Sequence, residues 1–200
     1  LGREGQQGEV AAFAETYSAI GLEVELLDRA GIERKVPGLR EGWVCGAFEP
    51  SCCDIDVGGL HQHYLAEGRA AGVDLWCRAG LREMERTDKG WTLTLSDGRQ
   101  IEAGVLVNAA GAWADPVASM AGLAPLGITP YRRTVVQLAV SPAAPDTLPL
   151  VLDVSGSFYF KPESGRLWLS PHDETPSPPC DAAPEEIDVA LAIDRFEHVA

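Results

Sequence analysis

The residues best suited to chemistry lie in two stretches, one near position 110 and one between positions 159 and 172. The first reads Val-Leu-Val-Asn-Ala-Ala-Gly-Ala-Trp-Ala-Asp over residues 105–115, an apolar run that ends in small residues. Because Gly111 has no side chain and Ala109 and Ala110 carry only methyl groups, a phosphate or a ribose could approach the backbone there. The pattern fits a tightly packed turn between a strand and a helix equally well, and the residues alone leave both interpretations open.

The second stretch links a tyrosine and a histidine through a predicted hairpin. Tyr159 lies in the middle of one strand candidate and His172 just beyond the next, with Ser164-Gly165 as the turn between them. Such a hairpin could present both rings to one side of a cavity, and Asp173 and Glu174 could orient or acidify the imidazole. On spacing alone, a tyrosine packed in its strand and a histidine in a solvated loop are favoured.

Other combinations of reactive residues have unsuitable spacing. Cys52 and Cys53 are adjacent and could not comfortably ligate one metal ion, so a buried or half-buried pair of thiols is expected instead. His61 and His63 lie two residues apart on a predicted helix, which points them to different faces, and no metal site is predicted. No G-x-G-x-x-G sequence lies between a strand and a helix, so no phosphate-binding loop of that kind is found.

Length, composition and charge exclude several classes of function. The chain has 200 residues, 46% hydrophobic and 23% charged, as in ordinary globular proteins. Its 30 acidic and 16 basic side chains give a net charge of −14, which disfavours nucleic acid and anionic membranes as main partners. No apolar run approaches the roughly 20 residues of a membrane span, and the N-terminus lacks a signal-peptide pattern. Five cysteines, an odd number, suit a reducing compartment, so a cytoplasmic protein is expected.

Periodicity and turn residues predict the elements that position these stretches. Helices are predicted over residues 6–20, up to about 36, 56–72 with Asp56 as the N-cap, 114–121 and 185–199. Strands are predicted at 24–27, 43–48, 73–77, 81–86, 91–95, 101–103, 105–111, 134–140, 148–152, 157–161 and 167–170. The run 105–111 is expected to be a buried parallel strand that delivers its carboxyl end to a ligand. The last third is expected to form an antiparallel sheet, and the proline-rich segment 171–184 no regular structure.

An ordered series of motifs extends along nearly the whole chain. It comprises Asp-Val-Gly-Gly-Leu at 56–60, Ala-Gly-Val at 71–73, Gly-Trp at 90–91, Asp-Gly at 97–98, Asn-Ala-Ala-Gly-Ala-Trp-Ala-Asp at 108–115, Pro-Tyr-Arg-Arg at 130–133 and Phe-Tyr-Phe-Lys-Pro-Glu at 158–163. In this order the motifs resemble the FAD-dependent amine oxidoreductases of the D-amino acid oxidase group, which includes glycine oxidase, sarcosine oxidase and D-amino acid dehydrogenase. The block at 108–115 is the most specific of them.

The resemblance implies an α/β with α+β fold, in which part of a FAD/NAD(P)-binding Rossmann-like domain is interleaved with an antiparallel-sheet substrate domain. Residues 1–49 and 125–200 would be segments of the substrate domain, and residues 50–124 a segment of the FAD-binding domain. Leu81 matches the family position whose backbone contacts the adenine. The turn formed by Asn108, Ala109, Ala110, Gly111 and Trp113 would lie beside the phosphates and ribityl chain of FAD.

The reaction that the resemblance implies is oxidation of the C–N bond of a small amine or amino acid, of the glycine, sarcosine or D-amino acid type. Hydride leaves the carbon next to nitrogen for the flavin, and water hydrolyses the imine. Tyr159 and His172 match the tyrosine and histidine that the sarcosine oxidase branch carries in its substrate pocket, where they would position or polarise the substrate. Arg132, Arg133 and Lys161 are the basic residues near the site, and the two arginines could equally pair with acidic residues.

Two departures from the family pattern bear on function. The family begins with G-x-G-x-x-G and an acidic ribose contact and finishes with an arginine that binds the substrate carboxylate, and this sequence has neither. We therefore expect an internal piece of a longer protein, to which the activity belongs. Two alternatives stay open: a flavin-dependent dehydrogenase of a hydroxy acid or glycerol phosphate, and a non-catalytic scaffold. The sequence does not indicate the electron acceptor or the oligomeric state.

Overall fold

Residues from both ends of the chain fold together. In the computed structural model, which describes all 200 residues, one unit comprises Leu1–Cys52 and Tyr131–Ala200 and the other Cys53–Pro130. The helices are α1 Gln7–Ser18, α2 Arg29–Lys35, α3 Val57–Ala70, α4 Ala114–Met120 and α5 Glu186–Glu197, with a 3-10 turn at Gly111–Trp113. None of these helices combines the length and the apolar character needed to cross a bilayer.

Short strands form four separate sheets. The strands are β1 Gly2–Arg3, β2 Glu25–Asp28, β3 Trp43–Phe48, β4 Leu81–Thr87, β5 Gly90–Leu95, β6 Gln100–Ala103, β7 Tyr131–Arg132, β8 Val136–Ala139, β9 Val151–Leu152, β10 Tyr159–Glu163, β11 Arg166–Ser170 and β12 Thr175–Pro176. The sheets have the orders β1-β3-β2, β4-β5-β6, β7-β12 and β8-β11-β10-β9, and every pairing is antiparallel.

The hairpin of β10 and β11 forms the centre of the four-stranded sheet. Ser164 and Gly165 connect its strands with φ values of 52° and 74°, the left-handed conformations that suit a tight hairpin. The register places Tyr159 opposite Ser170 at the open end of the hairpin. Alternation along the strands turns one face inward, where Phe160 is 2% exposed and Leu169 1% exposed. This face forms the main core of its unit.

Hydrogen bonds join Arg40 and Trp43 to the residues that follow α5. The backbone N–H of Arg40 donates to the carbonyl of Val199 at 2.8 Å, and the Trp43 indole donates to the carbonyl of His198 at 3.3 Å. Trp43, 1% exposed, also packs edge-on against Phe158 with ring centroids 5.6 Å apart. Residues far apart in sequence therefore share one core.

Several sequence predictions agree with the structure. The strand predicted at 43–48 is β3, and the predicted N-cap Asp56 accepts a hydrogen bond from the Gly59 N–H at 2.8 Å. The strands predicted at 91–95 and 101–103 correspond to β5 and β6, which form a hairpin, and the last third of the chain is an antiparallel sheet as expected. Local turn and cap signals were thus sufficient to predict these elements.

Two predicted strands are absent, and a few other expectations were wrong. Residues 73–77 and 105–111 form no strand, because no neighbouring strand pairs with either. Val105 is 80% exposed and Val107 79% exposed, so the expected buried parallel strand is instead an exposed segment. The proline-rich segment does contain the short strand β12, and the adjacent thiols of Cys52 and Cys53 are exposed rather than buried.

Gly90 is required where β5 begins. Its φ of 138° suits glycine, and a Cβ at this position would collide with the carbonyl oxygen of Ala103 and lie 2.7 Å from the Cα of Gly104. Gly90→Ala is therefore expected to destabilise the β4-β5-β6 sheet by more than about 3 kcal/mol, since backbone strain adds to the clash. Gly98→Ala is the matched control, because Gly98 also has a positive φ, 84°, but open space around it. Amide hydrogen exchange of β5 and β6 measures the difference, and equal exchange in the two variants would contradict it.

Asp153 makes stability depend on pH. Burial raises the pKa of its carboxyl group, but hydrogen bonds from Ser155 and Ser157 outweigh burial and hold the pKa below its ordinary value of 3.8. A depressed pKa contributes stability above the unfolded-state pKa, and this contribution disappears as the pH falls through the folded-state pKa.

The free energy of unfolding of the unmodified protein should therefore exceed that of Asp153→Asn near neutral pH, and the gap should close in acid. Urea unfolding at several pH values between about 7 and 2 measures this gap. Asp146→Asn, which changes an exposed carboxylate of the same unit, is the matched control. A gap that stays constant or widens in acid would show that the Asp153 carboxylate is not stabilised in its charged form.

Candidate functional site

The structure brings Tyr159 and His172 into contact. Tyr159 begins β10, and His172 lies two residues beyond the end of β11, whose last residue pairs with Tyr159. The two ring centroids are 5.6 Å apart with an interplanar angle of 85°, an edge-to-face arrangement. The rings thus meet at the open end of the hairpin.

His172 combines an unusual backbone with an unsatisfied ring nitrogen. Its φ is 56°, a left-handed conformation that is uncommon for residues other than glycine. Its N–H donates to the hydroxyl of Ser170 at 3.1 Å, whereas its ring Nδ1 is buried and has no hydrogen-bond partner. The backbone of Gly156 lies beside the ring, since a Cβ there would be 3.6 Å from Nδ1. A strained residue with an unpaired buried polar atom is characteristic of functional sites.

The two acidic residues that follow His172 bind residues other than the imidazole. The Asp173 carboxylate accepts hydrogen bonds from the Thr134 N–H at 2.7 Å and from the Thr134 hydroxyl at 3.0 Å. Glu174 forms an ion pair with Arg133 at 2.9 Å. The expectation that Asp173 and Glu174 orient the imidazole is therefore wrong. Both carboxylates instead tie the segment after β11 to residues next to β8, contacts that no local sequence pattern revealed.

The basic residues near the hairpin form ion pairs within the chain. Arg132 contacts Glu185 at 2.5 Å and Asp188 at 2.8 Å, which links β7 to α5. Lys161 lies 3.1 Å from a carboxylate oxygen of Glu163. The arginines thus pair with acidic residues, as the sequence allowed. None of these basic residues is assigned to bind a substrate carboxylate.

The other unit contains the residues expected to contact a cofactor. The Asn108 side chain closes its own turn: its amide donates to the Ala114 carbonyl at 2.9 Å, and its oxygen accepts from the Ala110 N–H at 3.3 Å. Gly111 has a φ of 55°, and, apart from the adjoining backbone, no atom lies within 4 Å of where its Cβ would be. Trp113 is 48% exposed. The turn is therefore closed by its own hydrogen bonds, consists mainly of small residues, and is exposed at Asn108, Ala109, Gly111 and Trp113.

Leu81 begins β4, an edge strand of the three-stranded sheet. The outer side of an edge strand presents backbone N–H and C=O groups that no neighbouring strand uses. A bulge between Leu81 and Glu83 interrupts the pairing with β5. Because both Leu81 and the turn at 108–113 expose backbone, the residues present fit the adenine and phosphate portions of a dinucleotide.

Comparison with solved structures identifies the fold. The crystal structure of glycine oxidase from Geobacillus kaustophilus aligns with a TM-score of 0.83 at 20% identity, covering 100% of this chain and 53% of that chain. L-α-glycerophosphate oxidase from Mycoplasma pneumoniae, solved with FAD bound, aligns with a TM-score of 0.82 at 13% identity, covering 98% of this chain and 54% of that one. The fold is that of FAD-dependent oxidoreductases, which confirms the expected fold class.

Sequence comparison identifies the family. The family described as FAD dependent oxidoreductase (DAO) matches residues 1–199, and the chain belongs to it. Among curated relatives, human mitochondrial dimethylglycine dehydrogenase is 30% identical over 155 residues, which cover 76% of this chain and 18% of that protein. The chain thus spans about half the length of the aligned structures and a smaller share of this relative. FAD is the cofactor of the family, so the expected cofactor is confirmed.

Proposed function

We propose that this chain is part of a FAD-dependent enzyme that oxidises the C–N bond of a small amine or amino acid. The observation that carries the proposal is the contact between Tyr159 and His172, with the unpaired Nδ1 of the histidine beside it. The names of similar proteins support this substrate class: dimethylglycine dehydrogenase, glycine oxidase, and L-proline dehydrogenase from P. horikoshii, whose structure aligns with a TM-score of 0.82.

In this proposal the two domains of the family are shared between the two units. Residues 1–49 and 125–200 would be substrate-domain segments and residues 50–124 a FAD-binding segment. The division of the chain after Cys52 and after Pro130 supports this assignment. The backbone of Leu81 would hold the adenine, and the turn from Asn108 to Trp113 the phosphates and ribityl chain.

Bound FAD supplies a two-electron acceptor for hydride from the carbon next to nitrogen. As that C–H bond breaks, the nitrogen lone pair forms the C=N bond of an iminium ion. Where the nitrogen carries a hydrogen, the iminium ion releases that proton to water and leaves an imine. His172 can accept a hydrogen bond from the amine through Nε2 when its neutral ring carries the proton on the buried Nδ1. The Tyr159 hydroxyl can donate to a substrate oxygen. Water then adds to the carbon of the C=N bond, and cleavage of the C–N bond releases a carbonyl compound and an amine.

A second candidate function keeps the cofactor and changes the bond that is oxidised. The glycerophosphate oxidase aligns with a TM-score of 0.82, as high as that of L-proline dehydrogenase, so a hydroxy acid or glycerol phosphate is the alternative substrate class. A scaffold without chemistry is the third candidate. The fold is common to all three candidates, so they are distinguished by whether the protein binds flavin and by which substrate reduces it.

The test is the visible absorption spectrum of the purified protein after incubation with FAD and gel filtration. Flavin bands that co-elute with protein are expected, and sarcosine or dimethylglycine added under argon should bleach them. Bleaching by glycerol 3-phosphate or a hydroxy acid instead would establish the alternative. Retained flavin that no substrate bleaches would favour the scaffold. A colourless protein would show that Leu81 and the turn at 108–113 do not suffice to hold FAD, and the assay then requires the longer protein.

A further inference from the structure

A single guanidinium group connects the segment just before β10 to the segment just after β11, which lie next to Tyr159 and His172. Arg195 lies in the last turn of α5, and its Nη1 donates hydrogen bonds to the backbone carbonyls of both Ser157 and Pro171. Ser157 precedes Tyr159 by two residues, and Pro171 immediately precedes His172. Because charged donors make stronger hydrogen bonds than neutral ones, this contact fixes the spacing of the two segments.

The strained backbone of His172 needs support from both sides. On one side, Asp173 is held by Thr134 through two hydrogen bonds. On the other side, the Pro171 carbonyl is held by Arg195. A left-handed backbone at a residue other than glycine persists only where its surroundings hold it in place. The imidazole between these two anchors keeps an unpaired Nδ1, so the anchors fix its position without occupying its polar atom.

We propose that Arg195 is a positioning residue that holds the Tyr159 and His172 rings in contact and so fixes where the substrate amine is received. The proposal rests on the proposed function for the substrate class, but the ring contact itself can be measured without substrate. Loss of the guanidinium group removes the shared donor, and the Pro171 carbonyl loses its charged partner. His172 is then free to leave its left-handed conformation.

A cavity of about 210 Å³ adjoins Arg195, with Trp43 and Asp153 also among its lining residues. The side chains of Asp194 and His198, 64% and 68% exposed, line the cavity as well, so it is accessible from solvent. Arg195→Ala enlarges this cavity by the volume of the lost side chain. Added guanidinium ion can then enter and restore the missing donor.

The first measurement is the nuclear Overhauser effect between the rings of Tyr159 and His172, in protein labelled at tyrosine and histidine. His172→Asn assigns the His172 signal among the four histidines. The effect is expected in the unmodified protein, absent in Arg195→Ala and restored by millimolar guanidinium. Arg166→Ala, which removes an exposed arginine from the same hairpin, should leave it intact. An unchanged effect in Arg195→Ala would overturn the proposal, as would a loss that guanidinium does not reverse.

Arg195→Lys replaces Arg195→Ala in this measurement if the alanine variant does not fold. It keeps the charge but cannot reproduce the planar guanidinium fork, so a folded protein with a weakened ring contact is expected. An unweakened contact would again overturn the proposal.

The second measurement is the rate of flavin reduction by the amine. Misplacement of the rings should lower the rate of flavin reduction by about 10- to 100-fold with FAD binding unchanged, and guanidinium should recover part of this rate. If Arg195→Ala loses the ring contact but reduces flavin at the unmodified rate, the contact does not position substrate and the proposal fails. If the unmodified protein oxidises no amine, the proposed substrate class fails, while the ring contact and its rescue still decide whether Arg195 holds the two rings.

Discussion

His172→Asn is expected to lower kcat/KM for the amine substrate about 100-fold while FAD binding stays unchanged. The reason is the imidazole itself, which contacts the Tyr159 ring at the open end of the hairpin and whose Nε2 can accept a hydrogen bond from the amine. Asparagine is the appropriate replacement because it tolerates the left-handed backbone that His172 adopts at a φ of 56°. The substitution therefore removes the imidazole without adding backbone strain.

The rate of anaerobic flavin reduction, measured by stopped-flow absorbance, tests this expectation. His198→Asn is the matched control, because it removes an imidazole that is 68% exposed from the same unit. The control should reduce flavin at the rate of the unmodified protein. Equal rates of flavin reduction for His172→Asn and His198→Asn would show that His172 does not belong to the site. Tyr159→Phe, which keeps the ring and loses the hydroxyl, shows separately what the hydroxyl contributes.

Phe160→Ala is expected to lower the free energy of unfolding of its unit by about 3 to 5 kcal/mol. Phe160 is 2% exposed, packs edge-on against Phe196 with ring centroids 5.1 Å apart, and stacks against Phe158 at 6.1 Å. Removing its ring leaves a cavity where the four-stranded sheet meets α5. The surrounding residues come from several elements and cannot all move to fill it.

Urea unfolding followed by circular dichroism provides the measurement. Trp168→Ala is the control on the opposite face of the same hairpin, where Trp168 is 36% exposed and lies opposite Lys161. Loss of the exposed Trp168 ring, including its cation–π contact with Lys161 at 5.2 Å, should cost only about 1 kcal/mol. Equal losses for the two variants would mean that the core does not lie on the Phe160 face.

The hairpin that carries the candidate site could be predicted from sequence because its signals are local. Alternating residues in β10 and β11 and the Ser164-Gly165 turn fix the register within about a dozen residues. Once the register is set, Tyr159 and His172 must lie at the same open end. Short-range geometry therefore places the two residues near each other, whereas the contact of their rings also depends on residues outside the hairpin.

The supports of that site could not be predicted, because their partners are distant in sequence. Thr134 and Asp173 are 39 residues apart, and Arg195 lies 24 residues from Pro171 and 38 from Ser157. Proximity of Asp173 to His172 in sequence suggested a contact that the fold gives to Thr134 instead. A carboxylate binds the donors that tertiary structure places within reach, and adjacent residues often point apart.

The secondary structure of residues 105–111 likewise could not be predicted from the sequence. Their apolar pattern resembles a buried parallel strand, but a strand needs a neighbour to pair its backbone groups, and the described chain supplies none there. Composition and motif order were enough to identify the family and its cofactor, because caps, turns and small-residue blocks are local and keep their order. Tertiary structure alone decided which faces are buried and which carboxylates hold which backbone groups. It also decided that one arginine joins the two segments that flank the hairpin of the site. These contacts depend on residues that only folding brings together.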